Sequence, residues 1–192
     1  MARSLEFNEE EAIKKAMDVF WKKGYSGTSI RDLAEAMNIK ISSIYNTLGD
    51  KHLLFIKCIR SYTQARALDA QNSATIIRSP LKAIISFIEG AVHTILYSSN
   101  SCLAIKTTFE VAATDPDLQA ILREDHEFTY RLLTGLIQKA IAIKELPADT
   151  DAGTLADFIL NNFTGWYESY IIHQDPIKIK KMAKYLIGQV SK

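Results

Sequence analysis

The stretch TSIRDLAEAMNIKISSIYNTL, residues 28–48, decides the fold of this chain. Its apolar residues recur at helical spacing in two short groups, which are Ile30, Leu33, Ala34 and Met37, then Ile41, Ile44 and Leu48. Asn38 lies between the groups, and asparagine is one of the few non-glycine residues that tolerate a positive φ. The pattern predicts a helix-turn-helix, whose second helix carries small polar residues suited to a DNA groove.

The sequence on either side supplies helix-end signals that frame this motif. Asn8 with Glu11 is a variant capping box that predicts the start of a first helix, and Gly24 predicts its end. Ser29 with Asp32 fits a capping box for the second helix better than a start at Thr28 does. The third helix is expected from about Lys40 to Thr47, with Gly49 and Asp50 ending it and capping a fourth.

The remainder of the chain is also predicted to be helical, because no alternating apolar run bounded by hairpin dipeptides occurs. The fourth helix is expected to hold Lys51 in its first turn and to break at 72–80. Further helices are expected at about 80–97, 102–113, 117–143, 150–173 and 177–190, with a loop at 98–101. The predicted fold is all-α, with a three-helix helix-turn-helix head at residues 1–50 joined to a larger helical body at 51–192.

Composition excludes several classes of protein. The chain of 192 residues contains no window of about 18 consecutive apolar residues, so no membrane span is expected. The N-terminus lacks the apolar stretch of a signal peptide, and the two cysteines, Cys58 and Cys102, are too few and too widely separated for a disulfide scaffold or a metal site. We therefore expect a cytoplasmic protein with reduced thiols.

Charge is distributed unevenly along the chain. Residues 20–60 hold seven basic and three acidic residues, a net charge of +4, whereas residues 61–192 hold 13 basic and 14 acidic residues, a net charge of −1. A basic N-terminal part on a nearly neutral body is typical of a nucleic-acid-reading head, although ordinary solvated surface charge gives the same pattern.

The chain resembles the TetR family of transcriptional regulators. The resemblance lies in GY (24–25), TSIRDLAEAMNI (28–39), SSIYNTL (42–48) and GDKHLLF (49–55), and CLAIKTTFE (102–110) is similar to a stretch found in a subset of the family. Two departures stand out. Asn38 replaces a common glycine, and Asn46, Thr47 and Leu48 replace residues that are often aromatic or histidine. The resemblance thus implies the fold but not the operator sequence.

The resemblance, with physical reasoning, implies a set of DNA-contacting residues on helices two, three and four. The predicted set is Thr28, Ser29, Arg31, Lys40, Ser42, Ser43, Tyr45, Asn46 and Lys51. Helix three would enter the major groove with its N-terminal residues at base edges, while helix N-termini and Lys51 would meet phosphates. Core packing is the alternative for Tyr45, plain helix surface for Asn46, and solvated charge for Arg31 and Lys40.

The resemblance also implies a homodimer that binds palindromic half-sites and responds to a small-molecule inducer. It places the dimer interface on the last two long helices, about 117–143 and 150–173, although intramolecular packing is the alternative for many apolar residues there. The predicted ligand-binding residues are Tyr62, Phe87, His93, Tyr97, Phe109, Trp166, Tyr167 and Tyr170, each of which has core packing as its alternative. We expect a repressor that needs no cofactor and no metal.

Two other classes of protein were weighed against a regulator. An enzyme has little support, because the sequence lacks a phosphate-binding loop, HExxH and GxSxG, and residues 124–127 lack paired Glu-x-x-His units. The alternative function is a helical sensor or adaptor that uses redox chemistry at Cys102 or protein contacts. Cys102 is expected at a helix N-terminus, which favours a thiolate, but a buried structural cysteine is the commoner case.

Overall fold

The computed structural model describes residues 7–97 and 102–191, and these are helical with short connections. The helices are α1 (Glu9–Lys23), α2 (Ile30–Met37), α3 (Ile41–Thr47), α4 (Lys51–Ile76), α5 (Pro80–Tyr97), α6 (Leu103–Thr107), α7 (Pro116–Ala142), α8 (Ala152–His173) and α9 (Pro176–Val190). A π-helical turn, Thr108–Ala112, follows α6 directly. The described residues contain no strand, which confirms the all-α prediction. None of their helices combines the length and apolar character needed to cross a bilayer.

The helix ends of the head follow from local side chains, as the sequence predicts. Asn8 accepts a hydrogen bond from the Glu11 N–H, and Gly24 ends α1 with φ 76°. Ser29 and Asp32 form the reciprocal capping box of α2. Asn38 ends α2 in the left-handed conformation, with φ 56° and ψ 45°, and this tight turn is what allows α3 to follow so soon.

The chain divides into two compact units. The first comprises Met1–Ala65 and Leu103–Arg123, and the second comprises Arg66–Cys102 and Glu124–Lys192. In the first unit, Phe20, Leu33, Ile44 and Phe55 are buried in one core with residues of α6 and α7 such as Leu103, Leu118 and Ile121. The division of function at residue 50 that the sequence suggests stays a prediction.

The second unit has its own core, built from α5, α7, α8 and α9. Its most deeply buried side chains include Ile84, Ile88, Leu133, Ile137 and Ile159. The links between its helices follow the predicted breaks. Pro80 opens α5, and Asp175 caps α9, which begins at Pro176.

Two helix predictions were wrong. The break expected at 72–80 is confined to residues 77–79, because Ala74 and Ile77 pack against the core and hold the end of α4 in place. Thr75 remains helical with its hydroxyl donating to the Asn72 carbonyl at 2.7 Å. The single helix expected at 102–113 is instead α6 followed by the π-helical turn. The loop expected at 98–101 lies outside the described residues.

Candidate nucleic-acid interface and ligand cleft

Helix α3 presents a polar face beside a buried one. Ile44 and Leu48 are buried in the core of the first unit, whereas Lys40, Ser42 and Asn46 are exposed and Tyr45 keeps 52% of its surface exposed. Lys40 is the N-cap residue and makes no side-chain capping bond. The first turn of α3 therefore offers the ammonium of Lys40 and the hydroxyl of Ser42 to a ligand outside the protein.

Helix α2 begins beside this face with a charge pair at its first turn. The Ser29 hydroxyl and N–H both donate to Asp32 Oδ2, and Lys23 Nζ donates to Asp32 Oδ1 at 2.7 Å. The bond from Lys23, with those from Ser29, lowers the pKa of Asp32 far below its usual range. Arg31, the next residue along, is exposed.

The loop between α1 and α2, residues 24–28, is held by polar groups that come from other parts of the first unit. Lys51 Nζ donates to the carbonyls of Tyr25 and Thr28, both at 3.1 Å, and lies 4.3 Å from the centre of the Tyr25 ring. Thr28 is buried, and its hydroxyl donates to the Gly24 carbonyl at 2.6 Å. The polar atoms of Thr28 and Lys51 thus serve the loop itself.

Glu110, on the π-helical turn, binds backbone N–H groups of the same loop. Its carboxylate accepts hydrogen bonds from the N–H groups of Tyr25 at 3.1 Å and Ser26 at 2.9 Å. A Cβ added at Gly24 would lie 2.8 Å from both carboxylate oxygens, so glycine is needed for this approach as well as for φ 76°. Lys106 adds a bond from its ammonium to the Trp21 carbonyl at 2.7 Å.

The predicted DNA-contacting residues therefore lie in three different environments. Six of these residues are exposed: Ser29, Arg31, Lys40, Ser42, Tyr45 and Asn46. Ser43 and Lys51 are half-buried, and Thr28 is buried. The structure brings the exposed residues onto α3 and the start of α2, next to a loop whose backbone is bonded to the side chains of Lys51 and Glu110.

One cluster near the start of α4 has the residue types of a metal site. His52 Nε2 lies 2.7 Å from Asp115 Oδ2, with Asp117 close by. Asp115 Oδ1 accepts from the N–H groups of Asp117 and Leu118, so this carboxylate caps α7. Burial opposes the charge on Asp115, but the bonds from Leu118 and His52 outweigh it and lower the pKa. We assign the cluster to capping.

The predicted ligand-binding residues do not form one group. Tyr62 and Phe109 belong to the first unit, where Tyr62 packs edge-on against Trp21 and Phe109 is 70% exposed. His93 and Tyr97 are exposed neighbours on α5. The others, all in the second unit, are Phe87 and Tyr170, which are half-buried, and Trp166 and Tyr167, which are buried.

A cleft in the second unit has the size of a small-molecule site. Its volume is about 380 Å³. Its apolar lining includes Phe87, Leu132, Leu136 and Phe163, and the rings of Phe87 and Phe163 are 5.7 Å apart. Its polar lining comes from Arg66, Asp69, Ser73, Ser86 and Thr94. Phe87 is thus the predicted ligand residue that lines this cleft.

An ion pair between half-exposed Arg66 and a buried carboxylate adjoins the cleft and was not foreseen from the sequence. The Arg66 guanidinium binds Asp125 Oδ2, and the Asp125 side chain is only 6% exposed. Asp125 Oδ1 is buried with no hydrogen-bond partner among the described residues. A sequence signal existed, since Asp125 precedes Leu132 and Leu136 by whole helical turns and so interrupts their apolar face.

Helices α8 and α9 leave apolar side chains exposed. Phe158 on α8 is 55% exposed and Tyr185 on α9 is 71% exposed, and a groove of about 350 Å³ lies between the two helices. Gly165 and Gly188, also exposed, have open space where a Cβ would be. The α7 residues expected at a dimer interface behave differently, since Leu133, Leu136, Ile137 and Ala140 are buried within their own unit.

Comparison with known proteins gives matches to both parts of the chain. Residues 12–58 match the family model described as bacterial regulatory proteins, tetR family. Residues 78–186 match the model described as tetracyclin repressor-like, C-terminal domain. The second match alone spans more than half of the chain.

Individual relatives agree with these matches. YezE of Bacillus subtilis, an uncharacterized HTH-type transcriptional regulator, is 28% identical over 83% of this chain and 84% of its own length. ComR of Escherichia coli, an HTH-type transcriptional repressor, is 24% identical over 80% of this chain and 74% of its own. A cysteine mutant of CifR, solved with 26-bp operator DNA, superimposes with a TM-score of 0.82 at 23% identity, covering 97% of this chain and 98% of that one.

Proposed function

Since this chain belongs to the TetR family of bacterial transcriptional regulators, we propose that it is a homodimeric repressor released from its operator by a small molecule. Family members are DNA-binding regulators rather than enzymes, so the enzyme alternative is set aside. Residues 1–50 would read DNA, and residues 51–192 would bind the ligand and the second subunit. The protein would act in the cytoplasm, where its DNA lies.

The observation that carries this proposal is the exposed polar face of α3. With Ile44 and Leu48 buried, a major groove that receives α3 meets Lys40, Ser42 and Asn46 first. Lys40 would donate to guanine or phosphate, Asn46 would read a base edge, and the short Ser42 side chain would permit close approach. Tyr45 would donate to a phosphate through its hydroxyl.

The remaining predicted residues divide into contacts and supports. Arg31 and Ser29, exposed at the start of α2, would meet the adjoining DNA backbone together with α2 N–H groups, and half-buried Ser43 would lie at the edge of the contact. Thr28 and Lys51 would act differently from the sequence-based expectation, because their polar atoms are bonded to the α1–α2 loop. We infer that they fix the start of α2.

A dimer is needed because one recognition helix reads only a few base pairs, which is too little to select a site in a genome. The exposed apolar surface of α8 and α9 supports an interface there, centred on Phe158 and Tyr185. The glycines of the two helices would allow close helix packing across the symmetry axis. This proposed interface differs from the pair suggested by the sequence, about 117–143 and 150–173, because the apolar face of α7 is buried inside its own unit.

The small molecule would release the protein from DNA by binding in the cleft lined by Arg66 and Phe87. A ligand that favours one arrangement of the dimer shifts the population away from the one that fits DNA, by its difference in affinity between the two. The mixed polar and apolar lining supports a small organic molecule as that ligand.

The proposal is tested by selecting bound duplexes from a random DNA pool and measuring affinity by fluorescence anisotropy at several salt concentrations. Asn46→Ala should relax selectivity at one base position in each half-site, whereas Lys40→Ala should reduce affinity about tenfold. Lys139→Ala, which removes an exposed charge from α7, is the matched control and should bind as the wild type does.

Three outcomes would each contradict a part of the proposal. The absence of salt-steep, sequence-selective binding would favour the adaptor alternative instead. A monomer by light scattering would exclude the dimer, and if Tyr185→Glu leaves a wild-type dimer intact, the interface is not on α8 and α9.

A further inference from the structure

The cleft of the second unit carries charges that restrict the chemistry of its ligand. Arg66 and Asp69 are its charged lining residues among those described. Arg66 is held by the buried Asp125 carboxylate, and Asp69 is exposed. With Asp125 counted, the charged groups at the cleft are one positive and two negative.

Arg66 is unsuited to anchoring an anionic ligand. Its Nη2 is bound to Asp125, whose side chain is only 6% exposed, so much of its charge is already neutralised and a ligand cannot draw it away from this carboxylate without cost. Removing the partner of a buried charge is strongly destabilising, because the remaining charge has neither water nor a counter-ion. Asp125 Oδ1, which has no partner among the described residues, makes this carboxylate still more dependent on Arg66.

The rest of the cleft lining is largely apolar and aromatic. Phe87 and Phe163 present rings 5.7 Å apart, and Leu132 and Leu136 continue the surface along α7. A ligand of the right shape would place an apolar body against these side chains and a polar head near Asp69, Ser73 and Ser86. Aromatic faces and a carboxylate both favour a cationic head over an anionic one.

We propose that the effector of this regulator is an amphipathic organic amine, with its ammonium group at Asp69 and its apolar body against Phe87 and Phe163. The inference rests on the proposed function of the cleft and adds the ligand class to it. Neutral molecules of the same shape would bind more weakly, and carboxylates most weakly.

Three compounds with one carbon skeleton separate these cases, namely 4-phenylbutylamine, 4-phenylbutan-1-ol and 4-phenylbutanoate. Their affinities for the full-length protein are measured by calorimetry at low and high salt. The amine should bind about tenfold more tightly than the carboxylate, with the alcohol between them. Asp69→Asn should reduce amine affinity about two- to fivefold and leave alcohol affinity unchanged. Asp149→Asn, which removes an exposed charge from a loop outside the cleft, is the matched control.

The outcomes distinguish the ligand class from the wider function. Tightest binding by 4-phenylbutanoate, with loss of that binding in Arg66→Gln, would overturn the proposal and make Arg66 an anion anchor. Binding of none of the three, or equal amine affinity in Asp69→Asn, would also overturn it. In each case, sequence-selective DNA binding without ligand would show that the proposed regulatory function still holds.

Discussion

Replacing Glu110 by alanine tests whether the π-helical turn fixes the loop that precedes the DNA-reading helices. The substitution removes two hydrogen bonds, from the N–H groups of Tyr25 and Ser26. Each such bond contributes roughly 0.5–1.5 kcal/mol net, and these two lie at an exposed site where water can replace the carboxylate. We therefore expect Glu110→Ala to lower the free energy of unfolding by about 1–2 kcal/mol.

A loss of this size should be visible in two independent measurements. For a chain of this length it corresponds to a fall in the melting temperature of about 3–6 °C. Operator affinity should fall by up to about tenfold, because DNA must then order a loop that is no longer held in place. Urea unfolding followed by tryptophan fluorescence gives the free energy of unfolding, and thermal unfolding gives the melting temperature. Fluorescence anisotropy with labelled operator gives the operator affinity.

Glu89→Ala is the matched control, since it removes an exposed glutamate from the middle of α5. Glu110→Gln keeps one acceptor and should fall between the wild type and Glu110→Ala in both measurements. If Glu110→Ala is as stable as Glu89→Ala and binds operator equally well, the carboxylate does not hold the loop and the reasoning is wrong.

The remaining predictions concern other single groups in the first unit. Gly24→Ala should destabilise the protein by about 1–3 kcal/mol, and the loss should shrink in a Glu110→Ala background, which removes the close oxygens but not the positive φ, as a double-mutant cycle would show. Lys51→Gln should lower the melting temperature and weaken operator binding without changing the slope of affinity against salt; a slope reduced by about one would instead assign Lys51 to a phosphate. Folding lowers the pKa of Asp32 from a reference value of 3.8, so the ionised carboxylate stabilises the protein at neutral pH and this stabilisation is lost as the pH falls below 3.8. Urea unfolding at pH 2–7 should show that Asp32→Asn loses less stability in acid than the wild type does. Parallel curves of stability against pH would refute this. Burial raises the pKa of Cys58 to about 12, so a variant with Cys58 as its single cysteine should react with a disulfide reagent at pH 8 only after unfolding, and rapid reaction of the native protein would show that the thiol is accessible.

The sequence predicts best what depends on neighbours along the chain. Ser29 and Asp32 are three residues apart, so their capping box can be read directly, and Asn38 indicates a left-handed turn by its residue type alone. The end of α4 shows the limit of such reading. Its Asn, Ser and Thr residues suggest a break, but propensity is a weak signal, and packing of Ala74 against the core outweighs it.

The exposed face of α3 could be predicted because it, too, depends on residues that are close together in the sequence. The exposed face of α3 follows from helical periodicity, once Ile44 and Leu48 are assigned to the core. The ion pair of Arg66 with Asp125 spans 59 positions and the bonds of Glu110 span about 85, so no local pattern places these partners together. Of the residues predicted to bind ligand, Phe87 lines the cleft, and the ligand-binding set stays a prediction because large rings are at least as common in cores as in ligand sites.

The bonds of Lys51 and Glu110 to the α1–α2 loop mean that the predicted functional boundary at residue 50 is not the boundary of a folding unit. A head that ended at residue 50 would lack Lys51 and Glu110, which satisfy the carbonyl and N–H groups of the α1–α2 loop. It would also lack Phe55, Leu118 and Ile121, which complete the core around Phe20. Backbone groups and apolar surface left without these partners cost free energy that a segment of about 50 residues has little means to offset. The proposed DNA-reading head is therefore a functional part whose geometry depends on residues of α4, α7 and the π-helical turn.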